Sequence, residues 1–257
     1  MTDWKPYLAA PALPPTPALL AELGAALRSP DPVLRDEQAF TLLARWVPES
    51  PEAWLRPLGD ELADRLTDRE IQARSFAALV LARLVRRGMY EERWLTAFRR
   101  WYPAEGDLRG HDPELGWLHA VAHGADLLGE FGRCARVAPT AMLELAAARL
   151  LAPTAHVFDA MEDDRLGAAI AMTLTRGELT AEESVAWLAP IEADFLAGEP
   201  GPVPAYASNA MRTLRVVYLS ADLGVRPAGA AAVGVRHPAA VKTGVAGVLR
   251  RCAPYLG

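Results

Sequence analysis

Cysteine is almost missing from this chain: Cys134 and Cys252 are the only two in 257 residues. Their separation forms no pair motif, which excludes a disulfide framework and a cysteine-built zinc site. Both are expected as small buried hydrophobes. Lysine is as scarce. Only Lys5 and Lys242 occur, so 25 of the 27 basic residues are arginine, and most ion pairs here can be planar and bidentate. A positive excess is lacking too, since 27 Lys+Arg stand against 32 Asp+Glu, a net charge of −5. This balance argues against nucleic acid held over a broad basic face and leaves only local patches open. No segment reaches the roughly 18 uncharged apolar residues of a membrane span, the Ala/Gly-rich run Ala228–Val235 included. Residues 1–16 form a proline-rich N-terminal segment without the basic start and apolar core of a signal peptide. A cytoplasmic protein with no membrane contact is the expectation.

What is present is a globular, helix-forming composition. Hydrophobic residues are 51% and charged residues 23%, which excludes a disordered chain. Ala, Leu, Arg and Glu dominate, and runs of alternating β-branched residues are missing. The pattern predicts helices over Thr16–Arg28, Pro32–Val47, Pro51–Leu66, Asp68–Arg87, Tyr90–Tyr102, Pro113–Gly132, Pro139–Leu151, Glu162–Arg176, Thr180–Ala197, Val203–Leu223 and Pro238–Cys252. Start signals mark several of them. Asp31-Pro32 and Asp112-Pro113 each read as an N-cap followed by a first-turn proline, and Thr67…Glu70 and Thr180…Glu183 have capping-box spacing.

Alternate helices begin near Asp31, Asp68, Asp112, Met161, Pro202 and His237, at intervals of about 35 to 49 residues, the period of HEAT or armadillo helical pairs. The fold expected is all-α, a HEAT/armadillo-like α-α superhelix (solenoid) of about six helical pairs, in a single domain over residues 1–257. An irregular helical bundle is the alternative.

The most informative string is Glu105-Gly-Asp107-Leu-Arg109-Gly110 followed by Gly116-Trp117-Leu-His119-Ala-Val-Ala-His123-Gly-Ala-Asp126-Leu-Leu. On a helix, His119, His123, Asp126 and Glu130 fall within about 60° of one another. The rest of that circumference is apolar or small, so the helix is expected to be buried and its ionisable groups paired or facing a wet cavity. Histidines at i and i+4 can share a divalent metal such as zinc, with Asp126 as third ligand or as orienter. A zincin is excluded, because Ala120 stands where the general-base Glu would follow His119. A hydrogen-bonded network that orders the core or binds an organic ligand is the plainer reading, and a capped, satisfied structural pair of histidines is the third.

Arg35 and Asp36, Arg74, Glu162, Asp163 and Arg165, and Asn209 sit near the starts of the same layer of helices. Each alone is explained by a salt bridge or a helix-terminal charge. Jointly, with Trp117 beside them, they are candidates to line one concave polar groove.

The strings Asp31-Pro32…Arg35-Asp36-Glu37, Arg74-Ser75-Phe76, Glu105…Gly110, Gly116…Leu128 and Glu162-Asp163…Arg165-Leu166 resemble the bacterial domain-of-unknown-function family 2785, over roughly Leu19 to Leu223. The resemblance implies a helical, HEAT-like protein and carries no catalytic assignment.

Three function classes follow. A binding or scaffold module would take a protein, a peptide or a small polar ligand in the groove. An enzyme, hydrolase or lyase, would use His119 or His123 as acid/base, Asp126 as orienter and Arg109, Arg74 or Arg165 as an anion clamp, with Asp107, Glu105 or Asp163 completing any metal site. Nucleic-acid binding, the weakest, would use Arg83, Arg86 and Arg87 or the string Arg99-Arg100-Trp101-Tyr102.

Overall fold

The computed structural model describes residues 2–9, 14–199, 201–228, 230–253 and 255–256. It is helical almost throughout, as the composition predicts. A short α1 (Lys5–Ala9) lies inside the proline-rich segment, anchored by the buried Trp4. Then come α2 (Pro17–Ala26), a π-helical stretch over Val33–Phe40 that runs into α3 (Thr41–Trp46), α4 (Glu52–Arg65), α5 (Ile71–Arg86) and α6 (Glu92–Trp101). The second half holds α7 (Ala120–Arg133), α8 (Pro139–Leu151), α9 (Glu162–Thr173), α10 (Glu183–Ala186), α11 (Ala189–Ala197), α12 (Ala205–Leu223) and α13 (Pro238–Cys252).

Three departures from the expected helices have local causes. The helix predicted from Pro113 starts seven residues late. Asp112 caps a turn there instead of a helix: its Oδ1 accepts the N–H groups of Glu114 (2.9 Å) and Leu115 (3.0 Å). The turn closes a two-stranded hairpin, β1 (His111–Asp112) against β2 (Gly116–Trp117), with Gly116 at φ +71° where only glycine sits easily. The helix predicted over Thr180–Ala197 is split, because Pro190 has no N–H for a continuous ladder and starts α11 afresh. Over Pro32–Val47 the first two turns, Val33–Phe40, are π-helical, and the Thr41 hydroxyl that follows them donates to the carbonyl of Asp36, five residues back, at 3.1 Å.

Helices α5, α7, α9 and α12 pack side by side in that order. Their contacts fix the direction. Ser75 meets His123 and Arg86 meets Glu130 along the α5–α7 seam, so both helices run the same way. Asp126 meets Arg165 between α7 and α9, and Asp163 meets Arg212 between α9 and α12. Glycines set the closeness of the α7–α9 seam: a Cβ on Gly132 would lie 2.0 Å from Thr173 Oγ1. On the other side of the molecule α4, α6 and α8 cover this row, and the core lies between. Four parallel N-termini are therefore gathered at one end, where the hairpin and the 152–161 segment cross them. Among the described residues no helix is long and apolar enough to cross a membrane. Cys134 is only half-buried and Cys252 is exposed, both free, so the expectation of two buried thiols is corrected.

Candidate functional site

The gathered helix ends hold the residues singled out in the sequence, but in an arrangement the helical wheel did not predict. His119 is not inside a helix. It is the N-cap of α7, at φ +48° and ψ +36°, because the chain leaves the hairpin and turns sharply there. The N–H groups of both Leu118 and His119 are taken by the carbonyl of Gly110 (2.9 and 3.2 Å), which forces the turn. Met161, the N-cap of α9, is the other non-glycine with positive φ among the described residues. Two left-handed residues on neighbouring helix ends mark a place where the tertiary structure overrides backbone preference.

The His119 ring lies flat on Trp117, with centroids 4.4 Å apart and planes 3° from parallel. Its Nδ1 faces Glu162 Oε1 at 3.4 Å without hydrogen-bond alignment, so both buried atoms lack a hydrogen-bond partner. Glu162 is fully buried, and its other oxygen accepts the N–H of Ala160 at 2.8 Å. Burial pushes its carboxyl up, but His119 and the backbone donors outweigh that and hold it below the ordinary glutamate range. The orienting acid of His119 is thus Glu162 and not Asp126. Gly110 makes the approach possible: a Cβ there would sit 2.6 Å from Glu162 Oε1.

His123 points elsewhere, into the α5 seam. Ser75 Oγ donates to the carbonyl of Leu118 and so accepts from His123 Nδ1 at 2.8 Å, which sets the proton on Nδ1. The ring packs edge-on against Phe76 at 5.1 Å. Desolvation, with His119 nearby, holds its pKa well below the usual histidine value, so it is neutral. Asp126 is bound by the guanidinium of Arg165, with Nε at 3.1 Å. His119, His123 and Asp126 are therefore not a ligand set: each is turned to a different partner. Among the described residues no group of three His, Cys, Asp or Glu side chains converges as a metal centre requires.

The remaining candidates are cross-links. Fully buried Arg35 donates to the carbonyls of Leu115 (2.6 Å), Trp117 (3.3 Å) and Ser29 (3.2 Å), pairs with Asp36 at 2.6 Å and lies over the Phe76 ring. It pins the hairpin to the π-helical turn. Arg74 grips Glu105 bidentately, at 2.6 and 2.8 Å, and Glu105 also accepts from Trp101 Nε1 and the Asp107 N–H. Burial pushes the Glu105 carboxyl up, and these donors more than reverse it. Arg109 pairs with Asp107 (2.6 Å) and with Asp112, exposed on the hairpin stem. Asp163 binds Arg212 Nε at 2.6 Å. Asn209 clamps the 152–161 segment, accepting from Phe158 N–H and donating to the carbonyl of His156, both at 2.9 Å.

The polar row is thus covered and largely self-satisfied, not an open groove. Arg74, Glu105 and Asp107 line a separate cavity of about 820 Å³ between α4 and α6. Of the basic strings, Arg83, Arg86 and Arg87 are committed, while Arg99 and Arg100 are exposed. Arg83 lies over Phe40, Arg86 pairs with Glu130 at 2.8 Å, and Arg87 caps the carbonyls of Val47 and Ser50. Trp101 and Tyr102 are buried and offer no face to a base. Sequence reasoning missed Met161, whose conformation has no local signature. It also missed Arg149, a buried guanidinium that donates to the carbonyls of Tyr102 and Glu105 at 3.0 and 2.8 Å. A lone arginine in the Ala/Leu helix Pro139–Leu151 was its signal.

Fold and site together define an all-α protein whose parallel helix ends are tied by a buried polar row beneath a hairpin. The chain belongs to the family described as Protein of unknown function (DUF2785), whose model matches residues 61–219, more than half of its length. The match takes in the whole polar row from Arg74 to Arg212 and leaves Arg35 and Asp36 outside it. No curated protein and no solved structure matches the chain.

Proposed function

We propose that this protein is a cytoplasmic binding module, built as a HEAT/armadillo-like superhelix, that docks a protein segment on the edge formed by its hairpin and helix N-termini. One observation carries the reading. Val33, Trp117, Val157 and Met161 are 45%, 48%, 45% and 66% exposed, and all four lie on that edge. The contacts of Gly116 with Pro32 and of Gly110 with Ala160 bring their segments together. A row of exposed apolar side chains over a rigid, self-paired base is what a recognition surface needs. The rim is acidic: Glu37, Glu114 and Asp164 are exposed and have no ion-pair partner among the described residues. The segment that fits carries apolar side chains interleaved with lysine or arginine. Panning a random peptide library on the protein should enrich such peptides, and Trp117→Ala with Met161→Ala should weaken them at least tenfold. Peptides that bind the double variant equally well would remove the edge from the reading.

A second reading, a hydrolase or lyase with His119 as acid/base and Glu162 as its orienter, is favoured by the two left-handed residues at the pair. Against it, Arg74, Arg109 and Arg165 are each spent on a carboxylate, so no anion clamp faces His119. Its test is turnover of a simple ester lost in His119→Gln and Glu162→Gln with peptide binding retained.

A further inference from the structure

The other end of the helix row carries a second surface, unconnected with the hairpin edge. On α12, Arg215, Tyr218, Leu219 and Leu223 recur at i, i+3, i+4 and i+8, one face of the helix. No helix covers that face: Leu219 is 56% and Leu223 76% exposed. Across from it, Leu249 of α13 and Leu256 close a groove of about 410 Å³ with Tyr218 and Leu219. That volume suits a small organic ligand, and the walls are mostly hydrocarbon. Two arginines, Arg215 and Arg250, complete the lining. Arg215 is exposed, and its guanidinium makes no ion pair or hydrogen bond among the described residues. The nearby acid on α12, Asp222, is held by Lys242 at 2.9 Å and leaves that charge uncompensated.

We propose that this groove binds a free amphipathic monoanion, its hydrocarbon chain against Tyr218, Leu219, Leu249 and Leu256 and its carboxylate on Arg215. A guanidinium presents parallel N–H donors that match a carboxylate, and the apolar walls reward the chain, so neither half of the ligand suffices alone. A headgroup of the opposite sign is repelled by the same arginine. An anionic membrane lipid shares this chemistry, but a concave slot between two helices fits a single chain in solution.

Calorimetric titration of the full chain with decanoate, kept below its micellar range, tests the site. One saturable site is expected, weakened at least tenfold in Arg215→Gln and in Leu219→Asp. Acetate and decyltrimethylammonium should not bind. Both substituted residues are exposed, so an unchanged Tm shows that the fold is intact. Absence of saturable decanoate binding, equal binding of the cationic amphiphile, or undiminished binding by Arg215→Gln would overturn the proposal. Binding to phosphatidylglycerol vesicles without binding to free decanoate would overturn it too, and would assign the surface to a membrane.

Discussion

Arginine does much of the cross-linking in this molecule, and it bonds backbone carbonyls as well as carboxylates. Arg35, Arg45, Arg65, Arg74, Arg87, Arg149, Arg176 and Arg212 each donate to at least one backbone oxygen. Arg176 Nη1 alone reaches Gly132, Cys134 and Val137, which ties the end of α7 to the turn that follows it. A planar fork with five donors does this where a lysine, a point charge on a flexible stem, cannot. The near-absence of lysine predicted bidentate ion pairs; the structure adds loop closure as a second use. Arg35→Met should cost about 3–5 kcal/mol, because Asp36 and three carbonyls lose their partner together; urea denaturation reads it as a lowered midpoint. Packing at single residues is equally exacting on the α7–α9 seam. Gly132→Ala should cost about 1–3 kcal/mol by forcing Thr173 aside, while Gly106→Ala, with open space around its Cβ, should stay within about 0.5 kcal/mol.

At the scale of the element, rules that need only near neighbours worked. Asp31 Oδ1 accepts the Val33 N–H at 2.9 Å, as its place before Pro32 predicted. Thr180 and Glu183 form the full reciprocal box, at 2.8 and 3.1 Å. Thr180→Ala should therefore cost about 1 kcal/mol, visible as a lower Tm. The same rules misread Asp112, whose capping is real but closes a hairpin turn. They misread Thr67 too, since Asp68 supplies the acceptor for the Glu70 N–H. A cap signal says that N–H groups are satisfied; whether a helix or a turn follows depends on where the next carbonyl lies. Here the Gly110 carbonyl takes two N–H groups and holds back the start of α7 until Ala120.

Across the whole molecule, buried groups make stability depend on pH in one prevailing direction. His123 is held neutral, with a folded pKa below its value of 6.5 when exposed. The unfolded chain therefore binds a proton that the folded chain does not, and stability falls as pH drops below about 6.5. Glu105 and Glu162, also depressed, start from an unfolded value of 4.5, and their contribution is lost only below that. Asp36 and Asp126, which burial pushes up, run the other way and soften the acid limb. Between pH 7 and 5 the neutral, buried His123 makes stability fall with acidity, so His123→Gln should flatten unfolding free energy against pH in that window. A slope unchanged in the variant would place the titrating group elsewhere.

Helical class, the burial of the 120–133 segment and the identity of nearly every residue in the polar row were legible in the sequence. Each depends on periodicity and composition within a few turns. Partnership was not legible. His119 stands four residues from His123 and seven from Asp126, yet its acid is Glu162, brought over by the parallel packing of α9 on α7 and the close approach at Gly110. Distance along the chain sets which groups share a helix face; only the packing of one helix on the next sets which charge meets which, and whether the result is a ligand site or a strut.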